Sequence, residues 1–279
     1  MSHPDPLQVR WIHGSESAKH NTDPDLQVHW HDDATVILRQ NKAINYEAPF
    51  LFLLFGDERA LLLDTGATAD AALFPLRSTV DALVGQWLHR HPHAGYELLV
   101  LHTHSHGDHV AGDGQLADRP RTTVVSADRG SVYRHLGLTA DLDCSARLDL
   151  GGRVVDCIAS PGHDAAAVTY FDAHSGFLLT GDTVYPGRLY VEDPAAYALT
   201  IDRLVAFADT HPVSHVLGCH IEMSTTPGED YPVRTTFQPD EPPLEMTVEQ
   251  LRDVRRAVAE VGDRPGRHVF DDFVLQLDG

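Results

Sequence analysis

Apolar side chains fall into short dense runs and into one longer periodic stripe. The runs at residues 34–39, 50–55, 59–64 and 98–101 are typical of strands buried within a sheet. Residues 71–91 instead carry apolar side chains three or four positions apart, which predicts a helix with one face on the core. The stripe consists of Leu73, Leu76, Val80, Leu83, Val84, Trp87 and Leu88.

Strands and helices continue to alternate through the second half of the chain. Apolar runs predict strands at residues 154–159, 177–180 and 213–218. Helices are predicted at residues 107–116, 127–136, 194–210 and 248–261. The last of these begins after Thr247, with Gln250 three residues on, which is the pattern of a capping box. This alternation predicts a layered α/β fold.

Length and charge narrow the class of protein. The chain has 279 residues, of which 42% are hydrophobic, and we expect one domain at residues 34–279 after an extension at residues 1–33. The extension could form a homo-oligomer contact. A formal charge of −20, with Lys19 and Lys42 as the two lysines, disfavours a surface that binds nucleic acid.

The sequence does not predict a signal peptide or a membrane-spanning segment. No apolar stretch approaches the roughly 20 residues that span a bilayer. Residues 1–6 lack the basic start of a signal peptide, so we expect a cytoplasmic protein without a membrane partner. Cys144, Cys157 and Cys219 do not suggest paired disulfides, and strand alternation favours a structural role for Cys219 over a ligand role.

A dense set of metal ligands follows the run at residues 98–101. Residues 103–109 read Thr-His-Ser-His-Gly-Asp-His, with His104, His106, Asp108 and His109 as candidate ligands. Imidazole and carboxylate ligands suit Zn²⁺, with Fe or Mn as alternatives. A ligand loop at the end of a strand can be completed by neighbouring loops.

Three later segments supply such ligands, each directly after a predicted strand. They contain His163, Asp182 and His220. Together with the first motif they suffice for two metal ions, and two ions about 3.5–4 Å apart can share a hydroxide and polarise a carbonyl oxygen. The pattern therefore predicts a hydrolase with a dinuclear zinc centre.

Residues 35–220 resemble the metallo-β-lactamase superfamily. The resemblance lies in Leu63-Asp64-Thr65-Gly66, His104-x-His106-x-Asp108-His109, His163, Asp182 and His220. It implies a four-layer αβ/βα sandwich with the metals at the edge between two sheets. It also implies the following roles: His104, His106 and His163 for the first metal; Asp108, His109 and His220 for the second; Asp182 as the bridge; Asp64 behind the ligands, orienting them.

The bridging Asp182 favours particular branches of that superfamily. The glyoxalase II, lactonase and related esterase branches resemble this chain in having it, whereas the β-lactamases lack it. This implies that a bridging hydroxide cleaves a thioester, lactone or ester of a small metabolite, with Asp108 also relaying a proton. The spacing from Asp182 to Tyr185 resembles the lactonases, where a phenol can donate to an oxyanion; packing is the alternative role for Tyr185.

A Pro-rich segment at residues 220–246 follows the last ligand. We expect an ordered flap over the metals, in which Tyr231, Arg234 and Phe237 bind substrate and Arg234 pairs with a carboxylate. A segment that merely wraps the surface is the alternative. Residues 247–279 are expected to form a C-terminal helix and strand.

A second function is compatible with the same ligands. Persulfide dioxygenases resemble this motif set but use one iron, held here by His104 or His106 with His163 and Asp182. The ligands of the second metal fit either class, so the metal content decides between a hydrolase and an oxygenase.

Overall fold

The computed structural model describes residues 7–139 and 145–277. The export-signal prediction at residues 1–6 and the prediction for Cys144 lie outside this range. Among the described residues, no helix combines the length and the apolar character needed to cross a lipid bilayer.

The first half of the chain forms a six-stranded sheet in which the strands lie in sequence order. The strands are β1 (Leu26–Asp32), β2 (Thr35–Gln40), β3 (Phe50–Phe55), β4 (Arg59–Leu63), β5 (Glu97–Leu101) and β6 (Thr122–Val124). Strands β1 to β4 pair antiparallel, and β4, β5 and β6 pair parallel. Between the parallel strands lie α1 (Leu76–Arg90), α2 (Gly107–Val110) and α3 (Asp113–Leu116).

The second half forms another six-stranded sheet, in the order β13-β12-β10-β9-β8-β7, and a three-stranded sheet, β11-β15-β14. After α4 (Arg129–Leu136), the elements are β7 (Ser145–Asp149), β8 (Val154–Ala159), β9 (Val168–Asp172), β10 (Phe177–Gly181), β11 (Arg188–Val191), α5 (Pro194–Thr210), β12 (His215–Gly218), β13 (Glu245–Met246), α6 (Val248–Val261), β14 (Gly266–Val269) and β15 (Val274–Leu277).

The two large sheets pack face to face between helices. In β3 every side chain is buried, because Phe50 and Phe52 pack between the sheets whereas Leu51 and Leu53 pack beneath α1. The outer face of the second sheet is covered by α5 and α6. These layers confirm the predicted four-layer αβ/βα sandwich.

Some predicted boundaries differ for local reasons. Helix α1 begins at Leu76 and not at residue 71, because Pro75 disfavours helical backbone before it; Leu73 is consequently 53% exposed. Residues 107–116 form two short helices instead of one. The capping box of α6 is confirmed. The domain division at residue 33 stays a prediction, although β1 lies before it and pairs with β2.

Strand direction brings the predicted ligands to one edge. Strands β4 and β5 are parallel, and so are β10 and β12. Strand β8 runs in the same direction as β10, since each is antiparallel to β9. The carboxyl ends of all five strands therefore lie at related edges of the sandwich, and each of them leads into a segment with a candidate site residue.

A buried ion pair joins the sheets at another place. Arg153 donates to both carboxylate oxygens of Asp172, at 2.9 and 2.6 Å, and also to the carbonyl oxygens of Ala34 and Phe55. Both charged side chains are at most 5% exposed. Burial raises the pKa of the Asp172 carboxyl, but Arg153 and Ser175 more than compensate, so the pKa lies below its usual value.

Replacing Arg153 should test this tie between the sheets. Arg153→Met leaves the carboxylate buried without its cation, which should cost about 3 kcal/mol or more of unfolding free energy at neutral pH. The loss should shrink as pH falls through the folded-state pKa of Asp172, because only the ionised carboxylate needs the cation. Urea denaturation measures both effects. Arg147→Met is the matched control, since Arg147 is 76% exposed in its pair with Asp156 and should contribute less than about 1 kcal/mol; equal losses would refute the role of burial.

Candidate metal centre

Asp182 occupies the centre of the site. It follows Gly181, whose backbone φ of +56° and contact with Thr103 leave no room for a Cβ atom, since one would lie 2.6 Å from the Thr103 Cβ. This close approach brings the end of β10 against the ligand loop after β5. The carboxylate of Asp182 is directed into the gap between two groups of imidazoles.

One group consists of His104, His106 and His163, each offering a ring nitrogen within 4.8 Å of the others. The Nε2 atoms of His104 and His163 are 3.3 Å apart. They lie 3.8 and 3.9 Å from Oδ2 of Asp182. The Nε2 of His106 lies 3.8 Å from the carboxylates of both Asp164 and Glu192.

The other group consists of Asp108, His109, His220 and Asp182. The Nε2 atoms of His109 and His220 are each 3.2 Å from Oδ2 of Asp108. They lie 3.6 and 3.4 Å from Oδ1 of Asp182. The two oxygens of Asp182 thus face different groups, as a bridging carboxylate requires.

These spacings fit divalent metal ions. Ligand atoms about 2.0–2.1 Å from a tetrahedral zinc ion lie about 3.3–3.4 Å from one another, close to the separations between the imidazole nitrogens. Among the described residues, Oδ1 of Asp182 is buried and accepts no hydrogen bond. A buried carboxylate oxygen without a donor is costly unless a cation occupies the gap.

Hydrogen bonds on the far side of the imidazoles fix how the rings point. Nδ1 of His163 donates to the carbonyl oxygen of Tyr190 at 2.8 Å, and Nδ1 of His220 donates to that of Glu47 at 3.0 Å. Nδ1 of His109 donates to Asp64 at 2.9 Å. With Nδ1 engaged in this way, Nε2 of each ring is directed at the centre.

Asp64 holds the ligand loop from behind. Its carboxylate accepts hydrogen bonds from the backbone N–H of Thr103 at 2.7 Å and from the Thr103 hydroxyl at 2.8 Å. It has no exposed surface, and its φ of +67° places it in the left-handed region that non-glycine residues rarely adopt. The family resemblance implied this orienting position for Asp64, and its hydrogen bonds are consistent with that role.

The pKa values of the histidines indicate an excess of negative charge in the second group. Burial lowers the pKa of His109, but Asp182, Asp64 and Asp108 together raise it well above its usual value. The pKa of His220 is raised in the same way, against burial, by Asp182 and Asp108. Burial is the largest cause that lowers the pKa of His104, and the neighbouring His109 lowers it further. The carboxylates thus attract positive charge to this part of the site.

A cleft of about 260 Å³ opens over both groups. Its wall includes residues that the sequence pattern did not single out: Glu47, Tyr190, Val191, Glu192 and Glu222. The one sequence signal for Glu222 as a wall residue is that it lies two positions after His220. The others come from segments without a ligand motif.

Tyr185 lies in the wall of the cleft but its hydroxyl is engaged. The phenol donates to the carbonyl oxygen of Arg188 and lies 3.1 Å from Oε2 of Glu222. Its ring packs edge-on against His220, with ring centroids 5.7 Å apart. The oxyanion role remains a prediction, and it requires the phenol to give up a bond to the protein.

The three predicted substrate-binding residues lie in different surroundings. Arg234 is exposed and lines a second pocket beside the cleft. The Tyr231 hydroxyl accepts a hydrogen bond from the backbone of Asp240 at 2.8 Å, within the Pro-rich segment. Phe237 packs against His13, with ring centroids 5.8 Å apart. Arg234 is therefore the member of this trio that the structure brings beside the cleft.

The described cysteines lie in the core as free thiols. Cys219 is buried behind the second group, with its Sγ 3.4 Å from Oδ2 of Asp64. Burial, and then the negative charge of Asp64, raise the pKa of its thiol. Cys219, Asp64 and His109 also place possible ligand atoms within 4.8 Å of one another, so the structural role of Cys219 stays a prediction.

Comparison by sequence relates the chain to hydroxyacylglutathione hydrolases. It is 33% identical over 156 residues to one from Synechococcus sp. (strain JA-2-3B'a(2-13)), covering 53% of this chain and 58% of the relative. It is 30% identical over 166 residues to one from Rhizobium meliloti (strain 1021), covering 57% and 61%. The similarity thus spans less than two thirds of these relatives. No protein-family model matches the chain.

Comparison by structure gives the fold. A metallo-β-lactamase from Pontibacter korlensis superposes with a TM-score of 0.56 at 16% identity, covering 84% of this chain and 99% of that one. The DIM-1 metallo-β-lactamase gives a TM-score of 0.57 at 13% identity, with coverages of 87% and 100%. The fold therefore matches that of the metallo-β-lactamases, and the sequence is similar over part of its length to the hydroxyacylglutathione hydrolases.

Proposed function

We propose that this chain is a dinuclear metal-dependent hydrolase that cleaves a thioester of a small metabolite. The observation that carries the proposal is the position of Asp182, whose two carboxylate oxygens face two separate ligand groups. The sequence relatives, which are named as hydrolases of hydroxyacylglutathione, favour a thioester over a lactone or a simple ester. Zn²⁺ is the proposed metal, since imidazole and carboxylate ligands suit it.

In this proposal His104, His106 and His163 would hold one ion, Asp108, His109 and His220 would hold the other, and Asp182 would contact both. Two bound ions supply a hydroxide at neutral pH and polarise a carbonyl oxygen. The chain itself positions the reaction: hydrogen bonds to the carbonyl oxygens of Tyr190 and Glu47 keep His163 and His220 aimed at the centre. The cleft admits the acyl group beside them.

Asp108 is the proposed residue for proton transfer. Burial raises the pKa of its carboxyl, but His109 and His220 lower it far more, so it is ionised at neutral pH. Its side chain is 20% exposed and lines the cleft, within reach of entering solvent. Asp108 would accept the proton that a water gives up to become the attacking hydroxide. When the new carbon–oxygen bond forms and the carbon–sulfur bond breaks, Asp108 would return that proton to the departing thiolate.

The ligand assignment can be tested by metal analysis. We expect about two zinc ions per chain by mass spectrometry. His106→Ala should lower this to about one, and Asp182→Asn should weaken both sites, because the amide oxygen carries no charge. Both changes should reduce thioester hydrolysis. His89→Ala is the control, since His89 is exposed on α1. One iron per chain in the wild type would instead support the oxygenase alternative.

Replacing Tyr185 separates a packing role from an oxyanion role. Because the phenol already donates to the Arg188 carbonyl oxygen, we expect Tyr185→Phe to lower the unfolding free energy by about 1 kcal/mol. We expect kcat of the folded enzyme to change by less than about threefold. A fall in kcat of about tenfold or more with KM unchanged would reinstate the oxyanion role.

Replacing Arg234 tests the rim of the second pocket. Arg234→Ala should raise KM for a carboxylate-bearing thioester by about two- to fivefold and leave a neutral thioester unaffected, since an exposed ion pair contributes little more than about 1 kcal/mol. Steady-state kinetics on 3-(acetylthio)propionate and its amide measure the difference. Equal effects on the two substrates would reject carboxylate binding by Arg234.

A further inference from the structure

A second pocket of about 210 Å³ adjoins the metal cleft. The two share Glu47, Tyr190 and Glu222 as common wall residues. A substrate whose carbonyl lies over the ligand groups can therefore extend its leaving group into this second pocket. What the second pocket binds depends on its charge.

Most charges around the second pocket are already paired. Arg188 pairs with Glu222 at 2.5 Å, and Asp230 bonds to both Arg188 and Arg267. Behind the pocket, Arg39 makes a bidentate bond to Glu241, with both distances at 2.6 Å. Each of these carboxylates is thus matched by a guanidinium group.

The remaining charged side chains of the lining are Lys42, Arg234 and Glu47. Two cations against one carboxylate leave a surplus of one positive charge. That surplus fits a monoanion such as a carboxylate better than a dianionic phosphate. Arg234 is exposed at the rim, whereas Lys42 is only 3% exposed.

Lys42 is poorly satisfied for a buried ammonium group. The described residues give its Nζ one hydrogen bond, to the carbonyl oxygen of Tyr46 at 3.0 Å. An ammonium has three donors. We propose that Lys42 binds the carboxylate end of the substrate's leaving group in the second pocket. This assignment rests on the proposed function and names a specificity-determining residue for it.

The electrostatics of Lys42 support this role. Burial and then Arg39 lower the pKa of Lys42 to about 8, against the opposing effect of Glu241, Glu222 and Glu47. An ammonium with so depressed a pKa lacks sufficient negative charge around it. A bound carboxylate supplies that charge and must therefore raise the pKa.

Because the sequence contains only Lys19 and Lys42, lysine-selective NMR can observe Lys42 directly. In metal-loaded protein carrying ¹³C- and ¹⁵N-labelled lysine, Lys19→Arg assigns the two side-chain signals. Adding 3-(ethylthio)propionate, which cannot be hydrolysed, should shift the Lys42 signal and raise its titration midpoint from about 8. The amide of the same compound should do neither. A Lys42 signal and midpoint unchanged by saturating carboxylate would overturn the proposal.

Kinetics provide the second readout. Lys42→Met should raise KM for 3-(acetylthio)propionate about tenfold or more, leave kcat nearly unchanged, and spare 3-(acetylthio)propionamide. In wild type, the KM for 3-(acetylthio)propionate divided by the KM for its amide should increase at pH values above about 8, because Lys42 loses its proton there. In Lys42→Met this ratio should not change with pH. Lys19→Met, at an exposed position, is the matched control. An equal rise in KM for both substrates in Lys42→Met would contradict the role of Lys42.

The two experiments distinguish an error in the proposed function from an error in the role of Lys42. If wild type hydrolyses neither thioester but the Lys42 signal still responds to the carboxylate, the proposed function is wrong and the binding role stands. If both thioesters are hydrolysed and Lys42 does not respond, the function stands and the inference is wrong.

Discussion

Three carboxylates share the buried edge where the two large sheets meet, and their negative charge must be compensated there. Asp64 has no exposed surface, and Asp182 is 8% exposed; Asp108 lies with them around the same imidazoles. Burying an unpaired carboxylate is expensive, and neighbouring imidazoles satisfy it only by taking up protons. The raised pKa values of His109 and His220 are the sign of this demand. Divalent ions bound by these candidate ligands would meet it while leaving the imidazoles neutral, and binding them would then also stabilise the fold.

The segment around Glu47 links that centre to the cleft and to the second pocket. Its carbonyl oxygen orients His220, and its side chain lines both the cleft and the second pocket. Arg188 performs a related task from the other side, because it binds Glu222 and Asp230 and also the carbonyl oxygen of Tyr231. A change in either region would therefore alter both the ligand geometry and the shape of the pocket. Ligand geometry and pocket shape can be changed separately at residues such as Lys42 and Arg234, which line the second pocket but not the cleft.

The sequence was most informative where local pattern and function coincide. Runs such as residues 50–55 are apolar at every position because each face of the sheet meets a different layer, and that is visible without a structure. The ligand positions were visible because His104, His163, Asp182 and His220 each follow a strand. Strands β1, β6, β7, β9, β11 and β13 were not predicted, and the C-terminal region contains two strands, β14 and β15, where one was predicted. Strand β7 is short and polar, so tertiary pairing, rather than its own composition, makes it a strand.

The cleft and the second pocket were least visible in the sequence because their wall residues come from segments with no periodicity. Lys42 follows β2, Tyr190 belongs to β11, and Glu222 follows β12, so no spacing in the sequence relates them. The Pro-rich segment that closes the second pocket is held by the buried pair of Arg39 with Glu241 and by a bridge from Gly14 to Phe237. The Arg39–Glu241 pair holds the segment in place through charge and hydrogen-bond direction more than through buried apolar area. The side chains that face the pocket are therefore not needed to anchor the segment. The strand ends position the candidate ligands, whereas this segment forms part of the wall of the second pocket.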